Sequence, residues 1–156
     1  NITTAETHQT KVRNAGFKQF IVDNNLTGVE LINIELSSLD ESVNMRLLHE
    51  TFSKYEDIRA AISFNSKVYR FAFYLEAIKK NDIRLIGYDL LQENINYLKK
   101  GYISCLLAQR PEKQANFTVR DMCSKLVLKQ QVQKINYMPI DIIMKENIDD
   151  YMNFKE

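Results

Sequence analysis

The sequence predicts an α/β fold: an open, mainly parallel sheet with helices on both faces. Two observations predict the class, and a third points to an incomplete sheet or an unusual start. Short apolar runs alternate with stretches of helical spacing along the 156 residues, which is the pattern of parallel strands joined by right-handed crossovers. Ile83 to Pro111 shows one whole unit: strand, polar turn, short helix, glycine stop, second strand, then a proline that restarts a helix. The chain opens on a helix, where such a unit ordinarily opens on a central strand, so either the fold starts unusually or a strand upstream of Asn1 is missing.

Thr7 to Asp23 carries Val12, Gly16, Phe17, Phe20 and Ile21 at amphipathic spacing and reads as a helix that Asn24-Asn25 and Gly28 break. Val29 to Leu36 is rich in β-branched residues and leucine and reads as a strand. Ser37, Ser38 and Asp40 offer capping oxygens to a helix running to Tyr55, with Val43, Leu47, Leu48 and Phe52 inward. Ala60 to Phe64 has the length of a buried strand. Asn65-Ser66 can cap a helix over Lys67 to Lys79 whose inner face is Val68, Ala72, Leu75 and Ile78. Asn81-Asp82 turns the chain into the strand Ile83 to Gly87, which ends on Tyr88-Asp89. A helix of Leu91, Ile95 and Leu98 then stops at Gly101. The strand Tyr102 to Ala108 ends on Gln109, and Pro111 suits the first position of a helix reaching Gln130, with Ala115, Val119, Met122, Cys123 and Leu126 on one face. Tyr137 to Met144 is a last strand, which Pro139 confines to an edge or to starting at the proline. Glu146 to Tyr151 forms a final helical turn.

Composition bounds the function. An apolar fraction of 45% with 26% charged residues is that of a soluble globular domain. The net charge of +1 comes from scattered Lys and Arg, whereas non-specific nucleic-acid binding needs a concentrated basic face. No apolar run approaches the roughly 20 residues of a membrane-spanning helix, and Asn1 begins nothing like a signal peptide. Cys105 in a strand and Cys123 in a helix read as buried free thiols in a reducing compartment.

No catalytic or cofactor motif is legible. His8 and His49 stand apart, metal-ligand spacing is missing, and no glycine-rich phosphate loop or nucleophile elbow follows any strand. The pairs Asp40-Glu41 and Asp149-Asp150 read as solvated turn residues. What remains is polar groups at strand ends, where open α/β sheets bind ligands. Asn65, Asp89 and Gln109 each follow a strand directly. An ionised Asp accepts, while Asn and Gln donate and accept, and such a set suits vicinal hydroxyls. Spacing alone leaves a second role equally open for Asn65 and Asp89, the capping of the helices that follow them.

These residues carry a resemblance. GYDL at Gly87 to Leu90, followed by LKKGYISCLLAQRPEKQA, resembles the effector-binding region of the LacI/GalR family of transcriptional regulators, itself similar to periplasmic sugar-binding proteins. KVRNAGFKQF resembles the helix that opens the family's second lobe, SFNS its strand-end asparagine, and MPIDIIMKENIDDY its last strand and tail. The match runs from about residue 10 to 152. It implies a periplasmic-binding-protein-like lobe in which residues 1–109 form the second lobe. Residues 110–130 form a crossover and a helix that packs in the first lobe, and 131–156 a returning strand and tail. It implies ligand contacts from Arg13, Asn65, Asp89 and Gln109, with Gln109 near the hinge. It further implies a small effector, a sugar or polyol, held between two lobes; no catalysis, cofactor or metal; a cytoplasmic homodimer; no membrane; and DNA binding only through a helix-turn-helix preceding residue 1. That element, a hinge helix, the whole first lobe and the second lobe's first strand would all precede this chain, which is then a fragment. Ser66 departs from the acid usual after the family's asparagine, and Tyr69, Phe71, Phe73 and Tyr74 replace the usual small residues. A periplasmic solute-binding protein or sensor ectodomain for a sugar is the alternative, and an unrelated small α/β enzyme a third reading.

Overall fold

The computed structural model describes residues 2–3, 7–37 and 39–154; the capping role expected of Ser38 lies outside them. The chain runs β1 (Ile2–Thr3), α1 (His8–Asp23), β2 (Ile34–Glu35), α2 (Glu41–Lys54), β3 (Ala60–Ile62), α3 (Tyr69–Ala77), β4 (Arg84–Tyr88), α4 (Gln92–Lys100), β5 (Cys105–Ala108), α5 (Pro111–Leu126), β6 (Asp141–Ile143) and α6 (Ile148–Asn153). β1 and β2 pair in parallel, and β3, β4, β5 and β6 form a four-stranded sheet in that order. The alternation of strand and helix is thus realised as an α/β fold with a mainly parallel sheet.

Side-chain alternation assigns the two faces. Leu85, Gly87, Leu106, Ala108 and Ile143 are buried and turn toward α3 and α4, whose Val68, Ala72, Leu75, Ile95 and Leu98 complete one core. The bulky α3 residues are accommodated there: Phe71 and Tyr74 are buried, with Phe52 of α2 beside both rings, while Phe73 is exposed. Tyr88 faces the other way, and α1 lies over it through Arg13.

The termini of several elements follow their sequence signals. The Asp40 carboxylate accepts from the Ser42 and Val43 N–H groups and so caps α2. Gly101 stops α4 at φ 85°, a left-handed conformation that suits glycine.

Other expectations are corrected. A two-residue strand, Ile2–Thr3, stands before α1, so the first strand is not wholly upstream. β2 is a strand only at Ile34–Glu35, the residues in register with Ile2 and Thr3, shorter than the run Val29 to Leu36 predicted. β6 is an edge strand but runs antiparallel, with Ala108 opposite Asp141 and Leu106 opposite Ile143. The chain leaves at the carboxyl end of β5 and re-enters the sheet at that same end, so it can only run back. In α1 the expected apolar stripe is met in part: Phe17 meets Phe64 and Ile21 is half-buried, but Val12, Gly16 and Phe20 are exposed and Thr10 is buried in their place. Both cysteines are free, but Cys123 is exposed, as are Ala115, Val119, Met122 and Leu126 on the same helix.

One buried side chain fixes the strand ends. Asn94 of α4 is 0% exposed. Its Oδ1 accepts from the Tyr69 N–H at 3.1 Å, pairing a donor in the first turn of α3 that no side chain of α3's own N-terminus caps. Its Nδ2 donates to the carbonyls of Ser66 (2.8 Å), Tyr88 (3.2 Å) and Asp89 (3.0 Å). Two hydrogens serve three acceptors, so one bond is shared. The loops after β3 and β4 are thereby held to each other from inside α4.

Substitutions at Asn94 and Gly87 test this account. Asn94→Ala leaves these backbone groups buried and unpaired, and is expected to lower unfolding stability in urea by about 3 kcal/mol. Asn94→Asp should behave similarly, because an ionised carboxylate cannot donate to the three carbonyls; near-wild-type stability of both variants would refute the role. Gly87→Ala would drive a methyl group into Val68, which is fully buried at the start of α3. A loss of about 1–3 kcal/mol is expected from this overpacking, and Gly87→Ala with Val68→Ala should recover part of it.

Candidate functional site

The ladders of the sheet continue one step past the formal strands. Ser63 N–H donates to Ile86 O at 2.9 Å and Asp89 N–H to Leu107 O at 3.0 Å. Asn65, Asp89 and Gln109 therefore leave the sheet at the carboxyl ends of three neighbouring strands. Asp89 has φ 67° and Arg110 has φ 51°, left-handed conformations that non-glycine residues adopt at a cost. At both positions the backbone turns sharply out of the sheet.

Arg13 reaches this end from α1. Its Nη1 donates to Phe64 O at 2.8 Å and its Nη2 to Gln109 Oε1 at 2.7 Å. The guanidinium carbon lies 4.0 Å over the centre of the Tyr88 ring, where the π face attracts a cation. Gln109 in turn donates from Nε2 to Asp89 Oδ1 at 2.7 Å. Arginine only donates and an ionised aspartate only accepts, so the carboxamide between them can sit in one orientation. Arg13, Gln109 and Asp89, all half-buried, form one hydrogen-bonded chain across the carboxyl ends of β4 and β5.

Asn65 stands beside this chain, joined to it through the neighbouring Phe64 carbonyl. Its Oδ1 accepts from Lys67 N–H at 2.9 Å and from Ser63 Oγ at 3.2 Å, the bonding of an Asx turn. Of the two residues for which capping and binding stood equally open, Asn65 shapes its own turn. Asp89 does not cap α4, whose N-cap is Leu91 with no side-chain hydrogen bond. The strand ends read from the sequence supplied Asn65, Asp89 and Gln109, the family resemblance added Arg13, and two others were missed. Tyr88 was read as the last residue of a strand, not as the platform under Arg13. Asn94 gave a legible signal, a polar residue at the spacing of the apolar face Leu91, Ile95, Leu98, which went unused.

Arrangement and ancestry agree. The pattern of the family described as periplasmic binding protein domain matches residues 3–130. Among solved structures, a candidate LacI transcriptional regulator from Bacteroides fragilis is 38% identical, with a TM-score of 0.87 over 93% of this chain and 50% of that one. A glucose-galactose binding protein from Geobacillus stearothermophilus is 24% identical, with a TM-score of 0.77 over 94% of this chain and 52% of that one. An ABC transporter solute binding protein from Agrobacterium vitis, bound with α-D-tagatopyranose, is 18% identical, with a TM-score of 0.81 over 96% and 50%. The chain thus spans about half the length of each. No curated protein matches it. With the family pattern spanning residues 3–130, the chain belongs to the periplasmic binding protein domain family.

Proposed function

We propose that this chain is the second lobe of a LacI-type effector domain, and that it holds a sugar or similar polyol between itself and a first lobe to control DNA binding by a helix-turn-helix elsewhere in the protein. The observation that carries the ligand class is the Gln109 carboxamide, which accepts from Arg13 and donates to Asp89. A ligand group that takes its place, or sits against the same pair, must also accept from a guanidinium and donate to a carboxylate. A hydroxyl does both; a ligand carboxylate cannot donate, and an ammonium cannot accept. On this reading Arg13 and Asp89 bind hydroxyls, Asn65 adds a contact from the β3 end, and Gln109 serves both ligand and hinge. The protein is a cytoplasmic homodimer without catalytic activity. The 38% identity to a candidate LacI regulator supports the regulatory role.

A sugar-binding protein of a transport system is the second reading. The fold is shared with such proteins, and the same site chemistry would serve it. A helix-turn-helix in the intact protein favours the first reading, a secretion signal the second.

Thermal-shift screening of the full-length protein against sugars, purines and amino acids tests the ligand class. A sugar at 100 times its Kd is expected to stabilise by about 2.7 kcal/mol; a shift with a purine or an amino acid alone would sink the polyol reading. Asp89→Ala is expected to weaken sugar binding by about 2–3 kcal/mol, the worth of hydrogen bonds to a charged group, while unfolding stability changes little. Intact binding with a large loss of stability would assign Asp89 to the fold instead.

A further inference from the structure

The crossing that carries Gln109 is pinned by a residue far away in sequence. Arg110 is left-handed (φ 51°) and opens α5 as its N-cap, with no side-chain cap bond. Its guanidinium instead grips Asp141 through two bonds, Nε to Oδ2 at 2.5 Å and Nη2 to Oδ1 at 2.8 Å. Asp141 Oδ2 also accepts from the Tyr151 hydroxyl of α6 at 3.0 Å. Asp141 is the first residue of β6 and stands opposite Ala108, the last of β5. One carboxylate thus ties the outgoing crossing at 109–111, the returning strand and α6. Arg110 and Asp141 are three-quarters or more buried at 25% and 20% side-chain exposure, enough to strengthen a forked ion pair relative to an open surface one.

We propose that Asp141 is a positioning residue for the binding site, holding the Gln109 carboxamide between Arg13 and Asp89 by fixing the backbone of Arg110. A left-handed conformation at a non-glycine residue persists only where its surroundings over-determine it, and the fork on Asp141 supplies that hold. Gln109 is the adjacent residue, so rotation of the Arg110 backbone re-aims the Gln109 side chain. Its main chain is anchored as well, through Gln114 Nε2 donating to Gln109 O at 2.6 Å; that bond comes from α5 and moves with the crossing, so it cannot replace the tie to the sheet. The Asp141 carboxyl is held below the usual carboxylate range, chiefly by its hydrogen bonds from Arg110 and, after burial works the other way, by Tyr151. The carboxylate is therefore charged, and the fork intact, throughout the neutral range.

The inference rests on the polyol reading for its consequence and on geometry alone for its mechanism, and two measurements keep these apart. The first needs no ligand: the side-chain amide resonances of Gln109 in the 156-residue chain, followed by NMR in Asp141→Asn, Arg110→Gln and Tyr151→Phe. The first two variants are expected to shift and broaden the Gln109 pair while the backbone amides of Leu85 and Leu98 stay in place. Tyr151→Phe, which leaves the fork intact, should move Gln109 far less. The second measures D-galactose, D-glucose, D-tagatose and D-arabinose binding to the full-length protein; the sugar that binds wild type should bind Asp141→Asn about tenfold more weakly. If no sugar binds wild type, the polyol reading fails, and the resonances still judge the clamp. Unmoved Gln109 resonances in folded Asp141→Asn and Arg110→Gln would overturn the proposal. Loss of the fold in both would overturn it too, since the pair would then be a requirement of the sheet and not of the site.

Discussion

The candidate site depends on a problem of buried backbone. At the carboxyl ends of β3 and β4 the chain must leave the sheet, turn and start a helix, which leaves N–H and C=O groups without ladder partners. Here Val68 packs against Gly87 and the loops close over Asn94, which is 0% exposed; an unpaired buried polar group costs about 1–3 kcal/mol. Asn94 resolves this from a third element. Its carboxamide serves one donor and three acceptors from two loops, so the position of Asp89 is set by a bond to its own carbonyl from beneath. Glycine at 87 and asparagine at 94 act together: the first lets the helix approach, and the second pairs backbone groups of both loops beside it.

On top of this floor lies a chain of opposite charges that do not touch. Arg13 and Asp89 could pair directly, yet a neutral carboxamide bridges them. A direct ion pair in a half-buried place would be satisfied internally and would have to be broken for any ligand. A bridging amide leaves each charge holding a neutral, exchangeable partner. Tyr88 adds a contact to the same guanidinium that does not involve the carboxamide, its ring centre lying 4.0 Å from the guanidinium carbon.

How far the sequence foretold this differs by residue, and the differences have physical causes. The strand-end positions of Asn65, Asp89 and Gln109 were legible because apolar runs end where burial ends, and the helix starts and stops at Asp40, Gly101 and Pro111 because caps are local chemistry. The inward face of α1 was legible only in part. It is chosen by what lies opposite, and here Tyr88 and the Phe64 carbonyl select Arg13 over Val12. The direction of β6 was missed because periodicity carries no direction; it follows from where the chain re-enters the sheet. The length of β2 was missed because a strand is defined by its partner, and β1 meets it at two residues. The partners of Asn94 and of the Arg110–Asp141 fork lie up to 28 and 31 positions away, so the inward place of Asn94 on its helix was legible but neither set of partners was.

Helix α5 shows what the crossing connects. It has 16 residues and none is buried, although Val119, Met122 and Leu126 are 67%, 55% and 59% exposed on a stripe of helical spacing. Fully covering each such side chain is worth roughly 1.5–3 kcal/mol, and amphipathic helices owe most of their stability to such packing. On the two-lobed reading the first lobe is that cover, and α5 then moves with it. The helix begins one residue after Arg110, and its own Gln114 holds the Gln109 carbonyl. A shift of the lobe therefore reaches Gln109 through backbone and hydrogen bonds, not through empty space. The converse holds with equal force, because coupling between two sites is reciprocal in free energy. A ligand that draws Arg13 and Asp89 away from the Gln109 carboxamide loosens one end of the crossing, and a lobe that turns α5 loosens the same carboxamide from the other end. On that reading ligand occupancy and lobe position are two demands on a single side chain, and the clamp proposed at Asp141 sets how firmly the sheet resists both.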